Sequence, residues 1–414
     1  MKKLLYNLRI INFANFALPL RTLRLSAFLL ASTMISAQSK ISLEKAIELA
    51  KSNNIDLKIA DKEIEKQTVL KKTAFQPDPL QVQYQGGQFN SVDFDHNVSV
   101  QQFFPLGNVT KANRQLQEEL AKLAEKRKAL SSYELEKAVT LAYYQYLYGI
   151  SIQKLNSELN AIYTKFLKNA ELRFKTGESG NIEVISAKAK VKEIETQEEQ
   201  LHYDLVIYQK QLQFFVQTDE NIIPDEMTSL QYPFIENQDS KAESLMTDFY
   251  QQQISVYQKE AGTFKANRTP KLGLGYFAQT INTESLFQGF TAGLQIPLFG
   301  GVNTAKAKAA EISILQSQLA LDKNKIILNL QKEELQHNFK KQQKNLNYYQ
   351  NEGLQYANQI IETAQKSYAN GDMSYWSYIS FLNQAIDIKK QFAEATHSFN
   401  QSTIELQFPT IKNN

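Results

Sequence analysis

From Ile41 to Phe75 apolar residues recur at helical spacing. Leu43, Ala46, Ile47 and the pair Leu49-Ala50 fall at i, i+3, i+4 and i+7, and Pro77 and Pro79 end the run. Ser42 with Lys45 three residues on is not a capping box. The period then changes to two. Leu80, Val82 and Tyr84 alternate with Gln81, Gln83 and Gln85, a polar stretch from Gly86-Gly87 to Asn97 follows, and Val98-Ser99-Val100 begins a return strand. This predicts a β-hairpin over residues 80–104 with one apolar and one amide-rich face.

Residues 108–176 contain no proline and one glycine, Gly149. Leu116, Leu120, Leu123 and Leu130 are spaced 4, 3 and 7, a coiled-coil rhythm interrupted by Arg127. One helix of that length would reach about 100 Å. "KTGESGN" (175–181) breaks it, and a further helix is predicted over 182–218. A linker over 223–240 carries Pro224 and Pro233.

The plan then repeats. A helix from Lys241 leads to Pro270, and a hairpin is predicted over 271–298. There Phe290, Ala292, Leu294 and Ile296 alternate with Thr291, Gly293 and Gln295. A long helix over 302–370 carries Ile312, Leu315, Leu319 and Ile326 at spacings of 3, 4 and 7, and Gly353 is its sole glycine. "ANGDMS" breaks it, a last helix covers 374–407, and 408–414 reads as a tail. Gly107 to Gly177 is 70 positions, and so is Gly301 to Gly371. The unit of helix, hairpin, very long helix and helix therefore occurs twice, over 38–222 and 241–407.

Composition changes the picture at the N-terminus. Lys2, Lys3, Arg9, Arg21 and Arg24 precede the apolar run Leu25–Ile35 and the small pair Ser36-Ala37, the pattern of an export signal over 1–37. Without those residues the formal charge falls from +3 to about −2, so nucleic-acid binding has no electrostatic support. No later run has the roughly 18 apolar residues that a membrane helix needs. An exported chain of this kind enters a membrane as strands or not at all.

Two hairpins give four strands, whereas known single-chain membrane barrels begin at about eight. Three copies would supply about twelve, enough to close a wall with a channel. The long helices with their narrow apolar stripes suit staves of a cylinder wet on both sides. The fold class is thus mainly α with a small β part: a barrel of long helices continuous with a trimeric 12-stranded β-barrel. Pro105 and Gly107, and Pro297, Gly300 and Gly301, mark the strand-to-helix junctions. There proline tolerates a strand end and glycine permits redirection. Phe103, Phe104 and Phe299 fall beside them, where rings favour a bilayer interface.

Four stretches, "ISLEKAIELAKSNN", "GFTAGLQIPLFGG", "RFKTGESGNIEVISAKAKV" and "SYANGDMSYWSYISFLNQA", together with the repeat, resemble the TolC family of outer-membrane efflux proteins over residues 41–407. The resemblance implies a homotrimeric duct that spans the outer membrane and extends into the periplasm. It implies docking through a periplasmic adaptor (membrane fusion) protein onto an inner-membrane RND or ABC transporter, with outer-membrane lipid around the barrel. By the same resemblance the turns Gly177–Glu183 and Tyr368–Ser380 form the periplasmic tip, with Tyr368 and Glu183 matching residues that hold it closed. Asp372 and Met373 stand where the family pattern has a basic residue. Ser377 and Ser380 replace a pair of gate aspartates. Asp372 and Glu178 would offer a substitute acidic ring, or else are solvated residues beside the helix-ending glycines Gly177 and Gly371.

Chemistry is otherwise sparse. The chain has no cysteine, and His96, His202, His337 and His397 lie far apart with no metal-ligand spacing. "GLGY" at 273–276 lacks the third glycine of a dinucleotide loop, and no Walker motif or nucleophile elbow occurs. No cofactor and no catalytic residue are expected. An efflux exit duct, the outlet of a type I protein secretion system and a structural or adhesive coiled-coil surface protein are the readings in play, with an outer-membrane enzyme left without a constellation to support it.

Overall fold

The computed structural model describes residues 39–225, 229–235, 239–282, 286–298 and 301–411. The expected signal peptide, and Phe299 and Gly300 of the second junction, lie outside them. The N-terminal helical pattern forms two helices, α1 (Leu43–Asn53) and α2 (Ile55–Leu70). Asn54 divides them: it leaves helical geometry at ψ 125, and its side chain accepts from the Leu57 N–H. Ser42, although no capping box, still caps α1 by accepting from the Lys45 N–H at 3.3 Å.

Next come β2 (Gln81–Gly87), β3 (Asp95–Pro105), α3 (Val109–Lys175) and α4 (Asn181–Val216). At 67 residues α3 is about 100 Å long. The second half supplies α5 (Asp239–Ala266), β5 (Lys271–Gln279), β6 (Phe287–Gln295), α6 (Gly301–Tyr348), α7 (Leu354–Ala369) and α8 (Tyr375–Gln407).

Three expectations change. The second long helix is not continuous. A π-helical turn, Tyr349–Gly353, separates α6 from α7, and the Tyr349 ring lies against Gly353, where a β-carbon would come within 3.0 Å of it. The linker holds a short strand, β4 (Ile222–Pro224), paired in parallel with β1 (Ser39–Ile41). Phe408 and Ile411 of the expected tail are buried, and Tyr133 and Lys137 of α3 donate to the Pro409 carbonyl and the Thr410 hydroxyl.

The packing falls into three layers of four elements. One sheet runs β2-β3-β5-β6, antiparallel throughout. Next to it the helices pack in the order α2-α3-α5-α6, and toward the far end in the order α4-α3-α8-α7. The upper core gathers Leu130, Val139, Tyr143, Leu212, Ile222, Met246 and Ile404; the lower one gathers Tyr163, Phe166, Ile194, Tyr378 and Leu382. Among the described residues no helix is long and apolar enough to cross a membrane.

The stripe predicted on the second long helix is present but faces outward. Ile312, Leu315, Leu319, Ile326 and Leu330 are all exposed. The seam buried within the chain is a different one, built from Ala307, Ala310, Ser317, Leu321, Asn324 and Leu328. Small residues there let α5 approach closely, and the amide of Asn324 donates to the Tyr250 hydroxyl at 2.8 Å. α6 therefore carries two seams, one filled and one open.

Candidate functional site

Register assigns every strand residue to a face. Val82 opposes Val100, which opposes Tyr276, which opposes Phe290; Tyr84, Val98 and Ala278 form the neighbouring row. With Leu272, Leu274 and Leu294 they make one apolar face, and Val82, Tyr84, Val98, Leu274, Tyr276, Phe290 and Leu294 are exposed upon it. Two glutamines enter this face, and each is hydrogen-bonded. Gln102 donates to the Asp78 carbonyl at 3.2 Å, and Gln288 accepts from the Tyr276 hydroxyl. The nine residues of β5 rise about 30 Å, close to the roughly 25 Å apolar band of a membrane barrel.

The opposite face is built from amides, hydroxyls and glycines. Gln81 opposes Gln101, which opposes Gly275, which opposes Thr291; Gln83 opposes Ser99. Phe103, Phe277 and Phe287 lie on this face too, the first two over Gly273 and Gly289 and the third opposite Gln279. A β-carbon built on Gly273 would come within 2.5 Å of the Phe103 ring, and one on Gly289 within 2.7 Å of Phe277. Adjacent Phe103 and Phe104 thus face opposite sides, and only Phe104 joins the apolar face.

An aspartate pins each end of the sheet. At the helix end Asp78, between Pro77 and Pro79, donates its N–H to the Phe103 carbonyl at 3.0 Å and pairs with Lys271 at 2.6 Å. At the loop end the buried Asp95 carboxylate accepts from the Asn90 N–H (3.0 Å), the Ser91 hydroxyl (2.8 Å) and the Asn282 N–H (3.1 Å), joining the two hairpin loops. Neither aspartate carried a sequence signal beyond its polarity.

The two junctions differ. Pro105 ends β3, and Gly107 follows at φ +69 with its surroundings held by the Thr269 hydroxyl, which donates to the Leu106 carbonyl at 3.0 Å. At the second junction Pro297 lies two residues past β6, and Gly301 is already the first residue of α6, without a positive φ and with open space around it. Redirection by a left-handed glycine is thus found at the first junction; Gly300 lies outside the described residues.

At the far end the two helix turns are built alike. Gly177 and Gly371 adopt φ +78 and +81. The Glu178 N–H reaches the Arg173 carbonyl (2.8 Å) and the Asp372 N–H reaches the Ser367 carbonyl (2.9 Å), while the glycine N–H groups bond to Phe174 and Tyr368. Both are Schellman motifs, which satisfy the last carbonyls of a helix. Nothing lies within 4 Å of a β-carbon at either glycine, so conformation and not space demands them. Glu178 and Asp372 follow the glycines at equivalent places, and both are exposed.

Tyr368 does not bond to Glu183. Its hydroxyl accepts from Arg173 Nη1 at 2.6 Å, with the guanidinium 5.2 Å from the ring centroid. Tyr368 also stacks on Tyr378 at 4.8 Å and tilts against Phe166 at 5.8 Å. Burial pushes the Tyr368 hydroxyl pKa up, and Arg173 pulls it back down. The sequence does not mark Arg173 for this contact, because a basic residue in a helix's last turn already has a role there, complementing the dipole.

Glu183 begins α4 with one carboxylate oxygen buried and without a partner, and its backbone carbonyl accepts from the Tyr375 hydroxyl at 3.3 Å. Ser377 serves the start of α8: its N–H donates to the Ser374 hydroxyl at 3.2 Å, and the two hydroxyls are 2.9 Å apart. Ser380 is exposed one turn on. Arg173 Nε stands 3.8 Å from Glu178, a solvated pair of little energetic weight.

Layers of long helices continuous with a four-stranded, two-faced sheet define a TolC-like fold. Solved structures agree. A membrane protein from Pseudomonas aeruginosa is similar over 88% of this chain and 91% of its own, with a TM-score of 0.72 at 13% identity. The outer-membrane channel OprN matches over 88% of both chains, with a TM-score of 0.71 at 12% identity. The outer membrane protein VceC of Vibrio cholerae matches over 89% of this chain and 97% of its own, with a TM-score of 0.68 at 13% identity. No family model matches the chain, and no curated protein does.

Proposed function

We propose that three copies of this chain form an outer-membrane exit duct that passively conducts cargo from an inner-membrane pump, through the periplasm, to the exterior. One observation carries the reading: all three layers contain four elements, and every layer ends in open edges. Among the described residues β2 and β6 lack a second neighbour, and α2 and α6 flank the helical layer with exposed Ile55, Ile59 and Val69 on one side and the exposed Ile312–Leu330 stripe on the other. Edges that differ from one another suit head-to-tail pairing between copies, which closes into a ring when the rotation between copies is a third of a turn. The apolar face then meets lipid and the amide face a wet lumen.

The reading includes an export signal over 1–37, two structural repeats, and a tip at 177–183 and 368–380 that meets a periplasmic adaptor served by an RND or ABC transporter. The similarity to outer-membrane channels supports it at the level of fold. In this reading the energy for transport comes from the pump. A structural coiled coil would have no use for a two-faced sheet. Membrane fractionation followed by unheated gel electrophoresis tests the proposal: the expected result is an outer-membrane species of three times the chain mass that passes ions in planar bilayers. A monomer, or a chain released to the medium, would overturn it.

A further inference from the structure

Resting on the duct reading, we infer that the barrel wall is a conduit for neutral or amphipathic aromatic solutes, with Phe103 and Phe277 as rungs on which their rings stack. Between Lys271 and Asp95, the charged residues at either end of the amide face, no described residue on that face is charged. Both end groups are engaged, Lys271 with Asp78 and Asp95 with the hairpin loops. A wall of amides and hydroxyls offers an ion no fixed countercharge, but it hydrogen-bonds neutral polar groups of either kind.

Three rings on such a face, Phe103, Phe277 and the exposed Phe287 at the loop end, have no apolar layer to join. Phe103 and Phe277 each lie over a glycine, Gly273 and Gly289, where a β-carbon would strike the ring, so one side of each ring is turned to backbone and both remain half-buried. The rings sit at different heights. Phe103 pairs with Gly273 near the helix end and Phe277 with Gly289 near the loop end. Three copies would give a tier of Phe103 rings and, across the Gln101–Gly275–Thr291 row, a tier of Phe277 rings with Phe287 beside them. Ring-on-ring contact retains an aromatic solute briefly without trapping it.

Planar-bilayer recording with purified full-length trimers tests the inference, with indole as the aromatic probe and xylitol as the neutral non-aromatic control. Indole is expected to cause transient blockades that xylitol does not. In the F103L/F277L variant, which keeps apolar bulk, dwell times should shorten about three- to tenfold, the factor that one aromatic contact corresponds to. F104L, altered on the apolar face, should behave as wild type. Ligand-observed NMR with indole on the solubilised trimer gives the same comparison without depending on an open tip. Equal blockade and equal NMR signal in wild type and F103L/F277L, or equal blockade by xylitol, overturns this inference alone. Trimers that carry no ion current and bind no indole overturn the duct reading along with it.

Discussion

Replacing Tyr368 by phenylalanine removes one oxygen from the contact that ties the two helical hairpins together at the tip. That oxygen accepts from Arg173 at 2.6 Å, and the rest of the ring keeps its place against Tyr378 and Phe166. Burial keeps the hydroxyl a neutral phenol at neutral pH, so the lost bond joins a charged donor to a neutral acceptor. Such bonds are worth about 1.5–3 kcal/mol. Arg173 is 36% exposed, so water replaces part of what it loses, and about 1 kcal/mol is the expected cost. If the hairpins of each protomer separate independently, the open population at the tip rises about fivefold. If the three protomers open together, the costs add to about 3 kcal/mol and the rise exceeds about 100-fold.

Hydrogen exchange of the turn amides at 176–180 and 370–374 reads the first number, and single-channel open probability reads the second. Tyr368→Ala loses the ring contacts as well, about 2 kcal/mol more for a half-buried aromatic. The reasoning fails if Tyr368→Phe leaves exchange at both turns within twofold of wild type, for then the Arg173 contact carries no closing energy.

Other outcomes follow from the same geometry. Gly177→Ala and Gly371→Ala force a β-carbon into left-handed backbone and should each destabilise their turn by about 1–2 kcal/mol, whereas Gly301→Ala, in helical backbone with free space, should stabilise by about 0.5–1 kcal/mol; local exchange rates compare the three. Asp372→Lys should lower cation conductance if the exposed acids after the glycines form a ring at the tip, and an unaltered reversal potential in reconstituted trimers argues against that role. His397 is held neutral by burial, stacked on Tyr148 at 4.4 Å with Nδ1 unpartnered. Its folded pKa lies below the ordinary value of about 6.5, so the unfolded chain binds the proton more readily. The stability this gives is complete above that value and is lost as the pH falls below it. Denaturation midpoints measured from pH 8 to pH 5 should fall in wild type and flatten in His397→Phe.

Periodicity made the long elements legible. The change from period 3.6 to period 2 at Leu80, and the 70-residue spacing of the glycines, locate hairpins and helices to within a few residues of the observed bounds. What periodicity does not carry is partnership. The Ile312–Ile326 stripe has helical spacing but is exposed, and the chain's own contact on α6 runs through alanine, serine and asparagine, which no hydrophobic count highlights. Aspartates fare worse: Asp78 and Asp95 hold the ends of the sheet through neighbours up to 193 positions away, and nothing local marks them. Only resemblance marks Tyr368, yet its partner is Arg173, because α8 packs against both α3 and α7 and brings the last turns of those two helices within reach of each other. The break at Tyr349–Gly353 left one trace, the lone glycine in an otherwise unbroken helical run.

The layers also explain why the strand-to-helix junctions need special backbone. Twelve helix axes spaced about 9 Å apart would form a ring roughly 34 Å across. Twelve strands spaced about 4.8 Å apart and tilted about 40° would form one roughly 24 Å across. Each chain must therefore step sideways by about 5 Å as it passes from β3 into α3, within the residues between Pro105 and Val109. A proline that ends the ladder, a left-handed Gly107 and a threonine that holds the intervening carbonyl achieve that step in three residues. Asp78 braces the neighbouring crossing, where α2 gives way to β2, and Lys271 braces the third from β5. The sheet is then held in line with the helices by charge and backbone geometry at its narrow end, while among the described residues its outer strands β2 and β6 each pair on one side only, as the proposed ring of copies requires.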